Sequence, residues 1–480
     1  MAFLVSPGVQ VKEIDLTNVV PAVSTSTGAL AGAFKWGPVD EITLISNEEQ
    51  LVQIFGQSSS NTSDYFLNAA QFLSYGNSLR VVRVVDETAA VNATVSGTGI
   101  LSKNDDHFET LTITAADYAL AKYPGSVGNS VGVAICSDET AFSGWTFEDV
   151  FNSAPGTSDS VAAVGGSDDE MHVVVFDHDG QITGAANTVL ETYDYVSQAR
   201  DAKTSDGTTN YWRNVINNQS SYIKIGDAPA ALTDEGLDSA GQAFTTAANS
   251  SDNLSGGAGA NANVGLAELM VGYDLFGDAE TVDVSLLIQS SSLAGADSIT
   301  LANHLISIAS DRKDCVAFVA PPEDATVGNT NPLAAIKTWR DSITSSSYAF
   351  AHSGAIQVYD KYNDTYRHTN GTGSMAGLCA NADNVADPWF SPAGMTRGNV
   401  YNVTKLAYNP TQAHRDDLYK IGINPVVSFP GQGTMLYGDK TLQSKPSAFD
   451  RINVRRLFIV LEKSISNASK ASLFEFNDEF

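Results

Sequence analysis

A discontinuous α/β core interrupted by a β-rich insertion, α+β overall, is the fold class that these 480 residues predict. Three observations carry it. Apolar runs spaced by segments of helical period recur between residues 41 and 85 and again between 264 and 360, the pattern of strands alternating with helices. Those runs are continuously apolar, as strands covered on both faces of a parallel sheet require. Between about residue 91 and residue 260 the texture changes to Thr, Ser, Gly, Ala and Asp with short apolar runs, and the α/β pattern resumes afterwards. The expected organisation is an extended arm over 1–22, a first core part over 23–90, an acidic β-rich insertion over 91–260 and a second core part over 261–480.

In the arm, Val9 and Val11 share one strand phase while Ile14 and Leu16 take up the other, a slip that predicts a bulged strand between Pro7 and Pro21. Such a segment is either a frayed terminus or a strand added to a neighbouring sheet. After a strand at 41–46, Ser46 and Glu49 form an expected capping box ahead of Leu51, Ile54 and Phe55, with Gly56 closing that helix. A helix at 63–75 and the strand LRVVRVVD complete this part. Within the insertion, 111–115 and 131–137 read as strands, and 171–184 as a hairpin turning at Asp179-Gly180. The Gly/Ser/Asn-rich run 249–265 reads as a return linker. Helices at 264–276, 299–311 and 332–344 then alternate with strands at 281–289, 314–321 and 355–360, all expected in one parallel sheet.

The charge balance limits partners. With 27 Lys and Arg against 55 Asp and Glu the chain carries −28, which argues against nucleic acid or an anionic membrane as a general partner. The charge is uneven: residues 91–270 hold 6 basic against 24 acidic residues, or −18, whereas residues 391–480 hold 11 against 8, or +3. Self-assembly therefore needs local compensation of charge. Cys136, Cys315 and Cys379 are too few and too scattered for a disulfide framework or a zinc ribbon, which suits folding in a reducing cytoplasm. Neither a signal-peptide pattern nor an apolar run of membrane-spanning length occurs.

Motifs for chemistry are weak. His414-Arg415-Asp416 lacks the other parts of a kinase site and reads as the exposed side of a helix ending near Gly422. Asp177-His178-Asp179-Gly180 lacks the later ligands of a calcium loop, and the glycine run 256–262 lacks the strand and acidic partner of a dinucleotide site. No phosphate loop or nucleophile elbow is present, so no catalytic, metal or cofactor site is expected. The enzyme alternative is a doubly wound fold with its site at strand carboxyl ends, near Asp360 or Pro321-Pro322.

The stretch 434–470 is the most specific. Its helical part puts Val454, Leu457, Phe458, Leu461 and Ile465 on one face and Arg455, Arg456, Lys463 and Lys470 on another, with Ile452 and Ile459 interrupting the basic face. By physics alone that face is solvated. The motifs YGDKT (437–441) and FDRINVRRLF (449–458) stand here. With them go SPGVQVKEID (6–15), AGAFKWGP (31–38), FGQ (55–57), YGNSLRVVRVVD (75–86), YDKYND (359–364), GLCANADN (377–384), SPAGMTRGNV (391–400) and GINPV (422–426). In that order they resemble the tail sheath proteins of contractile-tailed bacteriophages, the myoviruses, over roughly the first ninety and last two hundred residues.

The resemblance implies a structural virion protein that polymerises helically around a tail tube, then contracts and drives the tube through the host envelope for genome ejection. It implies a core near the tail axis, an outward-projecting insertion, and terminal arms joining neighbouring sheets by main-chain hydrogen bonds. The implied partners are the chain itself, the tail tube protein, and baseplate and tail terminator proteins, with assembly in the host cytoplasm. Sheath chains continue past a segment like SLFEFNDEF (472–480) into a further helix, strands and an arm, so the family's C-terminal end is expected to be missing. In this frame Arg455, Arg456, Lys463 and Lys470 are expected to face an acidic tube or a neighbouring subunit.

Overall fold

The computed structural model describes residues 25–470 and Leu473. Val9, Val11, Ile14 and Leu16 of the expected arm lie outside the described residues. The first core part runs through β1 (Gly28–Gly32), β2 (Ile42–Ile45), α1 (Glu48–Phe55), α2 (Ser63–Leu73) and β3 (Leu79–Arg83). The cap of α1 sits one residue later than expected. Asn47 accepts from Gln50 N at 2.8 Å, and the Gln50 side chain reaches back to Ser46 N at 2.9 Å, so an amide pair replaces the Ser46–Glu49 box. Gly56 closes the helix at φ +76°, a conformation that glycine adopts without strain.

The insertion holds α3 (Asp105–Glu109), β4 (Ala119–Ala121), β5 (Val131–Cys136), α4 (Glu139–Phe142), α5 (Asp159–Ala162), β6 (Glu170–Asp177), β7 (Thr188–Ser197), α6 (Trp212–Gln219), β8 (Ile223–Ile225) and β9 (Ser250–Asn253). A four-stranded sheet β7-β6-β5-β9 and a two-stranded sheet β4-β8 share an apolar cluster. Three expectations need correction here. Residues 111–114 form no strand: Ile113 packs over Gly226, but the segment has no ladder partner. The β6–β7 hairpin turns over residues 178–187, because buried Asp177 accepts from Gly180 N, Ile182 N and Thr183 N at 2.7–3.0 Å and holds a longer loop. The glycine-rich return is partly strand, since β9 pairs with β5 and Ala258 bridges Val91.

The second core part continues with α7 (Leu266–Asp274), β10 (Leu286–Ile288), α8 (Gly295–Arg312), β11 (Val316–Val319), α9 (Pro332–Asp341), β12 (Ala349–His352), β13 (Ile356–Asp360), β14 (Thr365–Thr369), α10 (Thr372–Val385), β15 (Val403–Leu406), α11 (Gln412–Lys420), β16 (Ile423–Asn424), β17 (Val426–Phe429), β18 (Gly433–Leu436) and α12 (Ile452–Ser469). One seven-stranded sheet, ordered β16-β12-β11-β10-β1-β3-β2, draws on both sides of the insertion, and all its pairs are parallel except edge strand β2. Helices α2 and α10 cover one face and α7 and α8 the other, which is why the central strands are apolar throughout. The third strand of the second part is β12, a four-residue run that follows a serine-rich stretch. The 355–360 strand leaves the sheet and pairs antiparallel with β14 and β15 instead.

Arg83, at the end of β3, welds the insertion to the core. Its fully buried guanidinium donates to Phe34 O (3.1 Å) and Gly37 O (2.7 Å) in the core and to Pro124 O (2.6 Å) in the insertion. Burial pushes it down to about 9. Trp36, from the core, lies in the insertion's apolar cluster, edge-on to Tyr123 at 5.5 Å. Arg83→Met retains bulk but leaves the Gly37 and Pro124 carbonyl oxygens without this donor, at about 1–3 kcal/mol each when fully desolvated. The variant is expected to melt at lower temperature and to be cut faster by protease near residues 84–91; wild-type values in both assays would refute the weld.

Candidate assembly surface

In an open parallel sheet, ligands bind beyond the strand carboxyl ends where the strand order reverses, here between β1 and β10. That position is filled. Gln289 O accepts from Thr372 Oγ1 at 2.6 Å and from Asn370 Nδ2 at 2.9 Å, Asn68 Nδ2 donates to Ser290 O at 3.0 Å, and Tyr273 OH donates to Ile288 O at 2.5 Å. All these side chains are buried, and α10 lies so close that a Cβ on Gly373 would run into the Asn68 backbone. Asp360 ends an antiparallel strand, where Ser58, Asn363, Arg367 and Tyr362 N saturate its carboxylate at 2.8–3.1 Å and hold it below its ordinary pKa despite burial. Pro321 and Pro322 lead into a 3₁₀ turn. The Asp360 carboxylate is thus spent on structural bonds, although an open recess of about 430 Å³ lined by Val358, Tyr359, Lys361 and Tyr362 lies beside it. Among the described residues, no cluster of His, Cys, Asp and Glu is placed to hold a metal, and no helix is long and apolar enough to cross a membrane. His414, Arg415 and Asp416 lie on α11, which ends before Gly422.

His352 at the carboxyl end of β12 is fully buried, and its Nε2 donates to Asn370 O at 2.7 Å, because a carbonyl only accepts. Burial drives its pKa to about 4. The group is neutral in the fold, so its contribution is intact above the unfolded value of about 6.5 and is lost as pH falls towards 4, roughly 3 kcal/mol in all. Nearby Asp64, raised to about 6 by desolvation, acts oppositely, since its penalty is relieved as pH falls through that value. His352→Gln should therefore gain about 3 kcal/mol relative to wild type between pH 7 and pH 4. Denaturant melts across that range check this, and parallel curves for the two proteins would contradict it.

Helix α12 is inside out. Arg455 and Arg456 are only 6% and 4% exposed. Arg455 donates to Ser347 Oγ at 2.8 Å and lies over the rings of Phe449 (3.9 Å) and Tyr348 (4.2 Å). Arg456 donates to Asp383 at 2.6 Å, Thr25 O at 3.1 Å and Cys379 O at 3.2 Å, joining α12 to α10 and to the first described residue. Burial opposes its charge, but the Cys379 and Asp383 sites outweigh this and hold its pKa above the ordinary value. Lys463 pairs with Asp283, and Lys470 is exposed at the helix end. The expectation of a basic outward face is therefore corrected for Arg455 and Arg456, which face the core, and for Lys463, which is half-buried and ion-paired. Ile452 and Ile459, seen in sequence as interruptions of the basic face, are buried with the arginines and were the sign that this face turns inward. The opposite face is presented instead: Phe458, Leu461 and Ile465 are 38%, 45% and 63% exposed. Beside it the end of α10 exposes Val385 and the loop that follows exposes Trp389, Phe390 and Met395, and Asn453 of α12 donates to Trp389 O. Sequence reasoning missed that loop.

Comparison with known proteins gives the surface its context. The model of the phage tail sheath protein central domain matches residues 272–442, and that of the tail sheath protein Gp18 domain III N-terminal region matches residues 25–84. The tail sheath protein of Enterobacteria phage T4 is 33% identical over 99% of this chain and 88% of its own length; that of Vibrio phage KVP40 is 32% identical with the same coverage. The chain belongs to the phage tail sheath family. It is accordingly a structural subunit of a contractile tail and not an enzyme, and proteins of this family are virion components. Among solved structures, the sheath tail proteins of Listeria innocua (TM-score 0.54, 13% identity, 94% of this chain and 78% of that one) and Desulfitobacterium hafniense (0.53, 12%, 98% and 84%) share the fold. The two family models flank the insertion and leave residues 85–271 unmatched.

For this sheath protein, breaking the Arg456–Asp383 pair strands a buried carboxylate, a change worth about 3–5 kcal/mol. Arg456→Glu should lower the melting temperature of the isolated chain rather than act only on assembly. An unchanged melt would return Arg456 to the surface.

Proposed function

We propose that this subunit polymerises around a tail tube through the apolar face of α12 and the adjoining 385–395 loop, and that contraction of the polymer drives the tube through the host envelope. One observation supports this most: an amphipathic helix with its arginines buried and its apolar stripe in water gains by covering that stripe, at about 25 cal/mol per Å². Lys470, exposed and without a carboxylate partner among the described residues, is the one member of the expected basic set kept as a tube- or subunit-facing charge. Residues 1–22, with Val9, Val11, Ile14 and Leu16, are proposed as the arm that adds a strand to a neighbour. Thr25, where they join the described chain, is fixed against Arg456 and Asp383, so the arm would depart beside α12. The tube protein, baseplate and terminator proteins are the proposed partners, and the host cytoplasm is the proposed place of assembly.

Sedimentation and electron microscopy of purified protein mixed with tail tubes test this reading. Leu461→Glu with Ile465→Glu is expected to abolish tubular polymer while leaving the melt unchanged, because both side chains are already exposed. A chain lacking residues 1–22 should likewise stay folded and fail to form stable polymer. Normal polymer from the double variant would reject α12 as the contact.

A further inference from the structure

An open cleft of about 670 Å³ lies between the core and the insertion, away from α12. Its core wall carries Lys35 and the glutamines of α1, and its insertion wall carries Lys122, Tyr123, Tyr222 and Glu191. Hydrogen-bond donors dominate this lining. Lys35 makes no ion pair or hydrogen bond among the described residues, and neither do the hydroxyls of Tyr123 and Tyr222. Glu191, the one carboxylate of the lining, is already engaged by Ser220 Oγ at 2.6 Å, Ser221 N at 2.7 Å and Tyr193 OH at 3.0 Å.

Lys122 is under-compensated. Its ammonium donates only to Ser220 O at 2.8 Å, and Asp105, Glu191 and Glu41 act on it from a distance without bonding it. Burial first, and the neighbouring Lys224 ammonium as well, hold it below its ordinary pKa. A half-buried cation in this state gains from an arriving carboxylate, whose charge supplies the stronger, charge-assisted bond. Elsewhere in the described chain the lysines either pair with carboxylates, as Lys103, Lys224, Lys337, Lys361, Lys420 and Lys463 do, or stand singly. Lys35 and Lys122 instead share one recess.

We propose that this cleft is an inter-subunit contact that receives a carboxylate-bearing loop of a second copy of this chain. The proposal rests on the polymerising role put forward above. Charge complementarity selects the occupant: a copy of a chain at −28, with an insertion region at −18, is rich in carboxylates, and a polymer holds them at high local concentration. The contact also supplies the local compensation that assembly of so acidic a chain needs. Since both walls contribute, it would engage core and insertion together.

The test uses polymer grown from an equal mixture of unlabelled and ¹⁵N-labelled chains, treated with a zero-length carbodiimide and digested for mass spectrometry. Mixed-isotope peptides joining Lys35 or Lys122 to an Asp or Glu are expected. Their absence, with other lysines cross-linked between chains, would overturn the contact. As a second measurement, Lys35→Glu alone and with Lys122→Gln should raise the concentration needed for polymerisation at least about tenfold. Lys35 has no bond in the described chain, so its single variant is expected to fold, with the melt as control. Polymer from these variants at the wild-type concentration would overturn the contact while leaving the assembly reading intact. If the unsubstituted chain forms no polymer on tubes, the assembly reading falls and this contact falls with it.

Discussion

Buried guanidinium groups donating to backbone carbonyls hold this molecule together where its segments cross. Arg83 joins the core to the insertion through Phe34, Gly37 and Pro124. Arg312 gathers Phe276, Asp278 and Val282 around the end of α8, and Arg340 ties Ile421, Ile343 and Leu442. Arg456 closes α12 onto Cys379 and Thr25. The physical need is the same each time. Where the chain leaves a strand or helix inside the protein, carbonyl oxygens are left without ladder partners, and an unpaired buried acceptor is costly. A guanidinium offers five donors in a planar fork and can serve three acceptors at once, which an ammonium on a flexible stem does less well.

That use of arginine reshapes the surface. The chain has few cations to begin with, and several of its arginines are spent on internal joints, so carboxylates dominate what faces water. Beside the strand addition proposed for residues 1–22, contact between copies then draws on apolar area and the few cations without a carboxylate partner. The outward stripe of α12 is proposed as the first and the cleft lysines as the second. Both are consistent with a family whose members work as assembled subunits.

The same logic explains what could be read in the sequence. Helices with a clear period and strands built on runs of Val, Leu and Ile were legible: α2, α8, α9 and the strands β3, β5, β10 and β11 all stand near their expected places. The parallel sheet split by an insertion followed from their order. What escaped were choices made by tertiary partners. β12, with the sequence AFAH, contains no Val, Leu or Ile and is a strand because β11 and β16 flank it. Residues 111–114 alternate in burial but find no ladder. The side of α12 that turns inward was misjudged because charge was weighed per residue, whereas Ser347, Asp383 and the Tyr348 and Phe449 rings were waiting for the guanidiniums from distant parts of the chain. The local sign was Ile452 and Ile459 on the same face, and it did not name the partners.

The weld at Arg83 also bears on how so acidic an insertion can coexist with assembly. At physiological salt, charge repulsion decays over about 8 Å, so the insertion's carboxylates repel only what comes close to them. A loosely tethered insertion would sweep that charge across the core's contact faces and oppose docking at random. Held by Arg83, by Trp36 in its apolar cluster and by Lys103 between Asp40 and Glu87, it is kept in one orientation. Fixed in that way, the charge can keep insertions apart from one another. The joint made by Arg83, Trp36 and Lys103 thereby bears on whether the acidity of the insertion acts as a spacer or as a barrier.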